Sequence, residues 1–80
     1  MEFSVGQIVK AKAGRDKNQF FIIKELEGRF AYIVNGKSRK VDKPKKKKLI
    51  HLAPTFTVVQ EFKTNREVIR ILSEINDKSL

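Results

Sequence analysis

The dipeptide Asn35-Gly36, set between two stretches of strand-forming residues, narrows most sharply what this chain can become. Both central residues of a type I′ turn need φ > 0, which Asn and Gly tolerate better than other residues. The pair therefore predicts a hairpin that joins Arg29–Val34 to Lys37–Val41. Upstream, Val5–Lys12 alternates in the manner of a strand, with Val9 and Ala11 on the face opposite Lys10 and Lys12. Gly14-Arg15-Asp16-Lys17-Asn18 follows as a loop. Gln19–Leu26 then reads as a second strand, with Phe20, Ile22 and Lys24 on one face and Phe21, Ile23 and Glu25 on the other. Glu27-Gly28 marks a tight turn into the third strand. Pro44 interrupts pairing within a basic loop, and Leu49, Ile50 and Leu52 form a last short strand that stops before Pro54.

The period changes in the tail. Thr64-Asn65-Arg66-Glu67 has the spacing of a capping box, in which the Thr hydroxyl and the Glu carboxylate each take a free backbone N–H. Val68, Ile69, Leu72 and Ile75 recur at helical spacing, predicting an amphipathic helix over about 65–76. A helix of that length is unstable alone, so its apolar stripe must pack on the sheet or on a partner. The whole pattern predicts a mainly β fold, a small antiparallel barrel of about five strands closed by one C-terminal α-helix. Eighty residues suffice for one domain with a modest core.

Charge is distributed unevenly. Residues 1–35 carry six basic and four acidic side chains, residues 52–80 four of each, and residues 36–51 eight basic side chains against Asp42 alone. Most of the net charge of +9 is thus confined to sixteen residues. Such a concentration attracts polyanions, whereas a surface evolved only for solubility mixes its signs. Lys37, Arg39, Lys40, Lys43 and the run Lys45, Lys46, Lys47, Lys48 can neutralise several phosphates and release their counterions. Lys10, Lys12, Arg15 and Lys17 add a second basic group that shares a face with the first if their strands are neighbours. Phe20, beside that loop, is a candidate platform for an unstacked base; core packing is the competing fate of Phe20, Phe21, Phe30 and Tyr32.

Other chemistries find little material. There is no cysteine, and His51 is the one histidine, flanked by Ile50 and Leu52 as structural histidines are. The carboxylates are scattered singly, and no nucleotide-binding or zinc-protease pattern occurs. An enzyme is not expected, nor a metal or cofactor. The longest apolar run, Phe30–Val34, is far below the roughly 20 residues of a membrane span. The N-terminus, Met1-Glu2-Phe3-Ser4, lacks the pattern of a secretory leader, so a cytoplasmic location is expected.

Gly6-Gln7-Ile8-Val9-Lys10, Ala13-Gly14-Arg15-Asp16-Lys17 and Phe20-Phe21-Ile22-Ile23 together resemble a KOW motif, a strand–loop–strand unit of ribosomal proteins and transcription elongation factors. Asn35-Gly36, Arg39 and Lys43-Pro44-Lys45, leading into Leu49-Ile50-His51-Leu52-Ala53-Pro54-Thr55, are similar to the fourteen-e type of large-subunit ribosomal protein of archaea and eukaryotes. A stand-alone bacterial relative of that family fits the same residues. The resemblance implies an SH3-like barrel over residues 1–55, with residues 56–80 as an extension. It also implies attachment to ribosomal RNA and no catalysis; ribosomal proteins as neighbours and a monomeric chain are expected. Its RNA contacts fall on the Arg15–Lys17 loop and on the basic segment up to His51. KOW loops often carry a second glycine where this chain has Asn18. Two other readings remain open at this level, an SH3-like protein-interaction module of a transcription or translation factor, and a DNA binder.

Overall fold

The computed structural model describes residues 2–77. Five strands, β1 (Gln7–Ala11), β2 (Phe20–Glu27), β3 (Phe30–Val34), β4 (Lys45–Lys48) and β5 (Leu52–Val58), are followed by one helix, α1 (Asn65–Asp77). The strands form one antiparallel sheet in the order β4-β3-β2-β1-β5. Its two outermost strands are consecutive in the chain, separated only by the 3-10 turn Leu49–His51. A three-residue link between opposite edges requires the sheet to curl on itself, so the sheet is barrel-like. The mainly β architecture with a C-terminal helix agrees with the sequence pattern.

The sheet buries apolar side chains on both faces. Val9, Ala11, Phe21, Ile23, Ala31, Ile33 and Leu52 fill the concave interior. Ile8, Ile22 and Val34, from alternate positions of the same strands, form a second cluster with Val68 and Leu72 of α1. The pairs Ile8↔Ile22 and Val9↔Phe21 assign each residue to its cluster, because directly opposed residues share a face. The helix therefore covers the convex side of the sheet. Its start is the capping box: Thr64 Oγ1 accepts from the Glu67 N–H at 3.1 Å, and Glu67 Oε1 accepts from the Thr64 N–H at 3.0 Å. The N–H groups of Lys63 and Thr64 hold the Glu67 carboxyl below its ordinary range.

Three local expectations are corrected. The hairpin at Asn35-Gly36 does not form, because residues 37–41 are not a strand. Asn35 spends its side chain instead: Oδ1 accepts from the Lys37 and Arg39 N–H groups, and Nδ2 donates to Ser38 Oγ. Gly36, at φ 81°, lies against α1, where an added Cβ would stand 2.5 Å from the Asn65 carbonyl oxygen. Residues 36–43 thus form a loop docked on the helix, and Asn65 Oδ1 accepts from the Val41 N–H. The strand that pairs with β3 is the lysine run itself, in the register Phe30↔Lys48 through Ile33↔Lys45. Pro44 immediately precedes it, where the missing N–H disrupts nothing. Finally, Leu49–His51 is a 3-10 turn, and the last strand runs through Pro54 to Val58, so a boundary at residue 55 falls inside β5. Pro54 is tolerated because β5 is an edge.

Two outcomes follow. Leu72→Ala should lower the free energy of unfolding in urea by about 2–4 kcal/mol, as removal of a buried leucine side chain does; a negligible change would mean that α1 is not part of the folded unit. Because the folded Glu67 carboxyl titrates below its unfolded value, its contribution is complete above the ordinary glutamate range and is lost as pH falls through the lowered value. Circular dichroism of Glu67→Gln should accordingly show a weaker loss of helix on acidification than the parent chain.

Candidate nucleic-acid interface

The carboxylate of Asp16 organises the basic side chains. Asp16 lies in the β1–β2 loop, which closes through Lys17 N–H to Gly14 O and Gln19 N–H to Asp16 O. Asn18 takes φ 72°, the left-handed conformation that glycine and asparagine adopt most readily. That tight loop turns Asp16 inward, where its side chain is 6% exposed. Arg39 Nη2 approaches Asp16 Oδ2 at 3.1 Å and Lys47 Nζ approaches it at 3.7 Å. Lys47 also donates to the Ala13 carbonyl at 2.8 Å. The triad draws together three segments far apart in the chain: the β1–β2 loop, the loop of residues 35–43 and β4.

These contacts divide the basic residues by role. Lys47, its side chain 9% exposed, and Arg39 are engaged with Asp16 and build the site. The buried Nε of Arg39 has no hydrogen-bond partner among the described residues, so the guanidinium is held chiefly through its Asp16 arm. Lys46 lies outside, 3.3 Å from Glu27 and with its ammonium 4.6 Å from the centre of the Phe30 ring. Tyr32 donates to the same Glu27 oxygen. The Tyr32 hydroxyl and then Lys46 hold the Glu27 carboxyl low, while that carboxyl raises the Tyr32 and Lys46 values.

The other cations of the two loops and β4 are exposed: Lys12, Arg15 and Lys17 in the first loop, Lys37, Lys40 and Lys43 in the second, and Lys45 and Lys48 on β4. Arg15 and Lys17 flank Asp16 in the chain, so the triad brings their backbone close to Arg39 and Lys47. The lysine run is nonetheless split between two faces. Lys45 and Lys47 oppose the core residues Ile33 and Ala31, whereas Lys46 and Lys48 oppose Tyr32 and Phe30.

Lys10 is half-buried, its ammonium 5.6 Å from the centre of the Phe20 ring. Phe20 packs at the margin of the cluster under α1 and leaves only part of its ring free. His51 ends the 3-10 turn, and its carbonyl accepts from the Lys12 N–H at 2.8 Å, tying that turn to the end of β1. Sequence reasoning did not single out Phe56, the most exposed aromatic of the described chain, on β5. The strand-forming series Thr55-Phe56-Thr57-Val58 was the available signal. Among the described residues no group of histidine, cysteine and carboxylate side chains has the arrangement of a metal site. No described helix is long and apolar enough to cross a membrane.

Removing the shared anion should unsettle both loops at once. Asp16→Ala strands two cations, one of them nearly buried, and should destabilise the protein by about 3–5 kcal/mol in urea unfolding. In a double-mutant cycle, Asp16→Ala with Lys47→Met should cost less than the separate changes added together.

Compared with known proteins, the chain matches no family model and no curated sequence.

Proposed function

We propose that this protein is a non-catalytic binder of structured RNA, its exposed lysines and Arg15 gripping phosphates while the curved sheet holds them in place. The observation that supports this most directly is the Asp16 triad, with its 3.1 Å contact to Arg39. One buried carboxylate neutralises the cations that hold the loops, and the other cations of these segments are exposed to solvent. Within residues 36–51, only Asp42 opposes that charge. Fixed cations lose less freedom on binding than a flexible lysine tail does, and this favours a shaped polyanion over a merely charged one. Ribosomal RNA is the substrate that the KOW-like residues suggest, with a role in ribosome structure, assembly or translation.

A protein-interaction module would need an apolar surface to offer, and the stripe of α1 is the first candidate. Val68 and Leu72 are consumed by packing on the sheet, so that stripe is not a free surface.

The reading makes a quantitative demand. Binding of a structured RNA should weaken steeply with salt, the logarithmic slope reflecting about 4–6 phosphates. Replacing Lys40, Lys43, Lys45 and Lys48 together by Ala should reduce the magnitude of that slope by roughly 3 and leave the melting temperature nearly unchanged. Lys47→Ala should do the reverse, lowering stability through loss of its Asp16 contact. Equal RNA affinity of the quadruple variant and the parent at moderate salt would refute the phosphate assignment.

A further inference from the structure

The exposed ring of Phe56 is unexplained by the fold. Its relative exposure is 107%, and it stands on a defined strand rather than on a loose end. The backbone around it is pinned: Thr55 Oγ1 donates to the Ile8 carbonyl at 2.7 Å, Gln7 Nε2 donates to the Thr55 carbonyl at 2.9 Å, and the Thr57 N–H donates to Thr55 Oγ1 at 3.2 Å. Beside the ring lies a groove of about 370 Å³ with Lys10, Phe20 and Pro54 among its walls. Lys10 pairs with Phe20 on one side and with Ala53 on the other, so these residues cross the convex face of the sheet in a row. None of the described residues lining the groove is acidic.

We propose that this groove receives an unpaired nucleobase of the bound RNA, which stacks on Phe56 while Lys10 meets the adjoining phosphate. The inference rests on the RNA-binding reading above and adds to it a class of target: RNA with a splayed loop or bulge rather than a continuous duplex. A solvent-exposed phenyl ring offers a π-face to any base, and base–aromatic stacking tolerates sequence. The cation at one end of an apolar groove matches a nucleotide, which is flat and apolar in its base and anionic in its backbone. Of the uncharged polar side chains in the groove, the Thr55 hydroxyl is already engaged with backbone, and the Thr57 hydroxyl alone is too little to select a base by its edge. Stacking without base selection is therefore expected.

A second copy of the chain is a poorer occupant. It would bring a net charge of +9 against +9. An extended peptide pairing with the β5 edge would meet Pro54, which offers no N–H.

The test uses two RNAs of equal length, a hairpin whose loop carries 2-aminopurine and a fully paired duplex, with the full-length protein. In the parent chain, binding should quench the loop fluorophore. Phe56→Ala should remove the quenching and weaken hairpin affinity by about tenfold, the loss typical of one stacked base. It should leave the salt slope, duplex affinity and melting temperature unchanged, and Phe56→Trp should restore the binding. If Phe56→Ala binds the hairpin as tightly as the parent, the stacking site is wrong and the phosphate-binding reading stands. If the parent binds neither RNA at low salt, both fall. Titration with a glutamate-rich peptide and sedimentation of the free protein complete the test. Peptide binding or dimerisation that is lost in Phe56→Ala, without an effect on RNA, would overturn the proposal in favour of a protein occupant.

Discussion

Everything in this fold depends on β2 being buried on both of its faces. Most strands in a small antiparallel sheet need one apolar side, but Phe20-Phe21-Ile22-Ile23 has two. Phe21 and Ile23 are consumed by the barrel interior, and Ile22 can be shielded only by a second layer. Alpha-helix α1 supplies that layer. In a chain of 80 residues, this gives two small clusters that share the backbone of β1 and β2. Each is modest, yet shared strands make them one cooperative unit, since unpairing β1 from β2 exposes both.

The charged residues obey a similar economy. A run of four lysines is a poor strand by propensity, but β4 is an edge, and lysines are among the residues that protect edges from pairing with other chains. The same side chains therefore serve the fold and the proposed ligand. Alternation then separates them: Lys47 turns toward the interior and is met by Asp16, while Lys46 turns outward to Glu27 and the aromatic pair Phe30 and Tyr32. A linear count of charge consequently overstates what a polyanion can reach, because two of the basic groups in the segment are held by a buried carboxylate.

Periodicity in the sequence correctly exposed the elements whose side chains decide their own structure. The facing of β1 and β2, the turn at Gly28, the Thr64–Glu67 cap and the helix could all be read because local pattern and tertiary packing agree there. β4 could not be read, because its strand state comes from pairing with Phe30–Val34 rather than from lysine. The turn at Asn35-Gly36 misled for a related reason. A type I′ hairpin uses the backbone freedom of asparagine, whereas here its side-chain oxygen captures two N–H groups and the following glycine is needed for close approach to α1. Of the candidate site, the identity of the cations was legible and their division between structural and exposed roles was not. That division depends on Asp16, whose burial no linear pattern signals.

The curled sheet leaves two open rims, and they are guarded by different means. On β5, Pro54 withholds a backbone donor from any visiting strand. On β4 the guard is electrostatic repulsion between lysines. Binding of the proposed polyanion would cancel that repulsion, and a saturated complex would then present a discharged rim that the free protein does not show. Crowding of many copies on one long polymer would then favour lateral contacts along β4, while the β5 rim, guarded sterically, stays indifferent to what is bound.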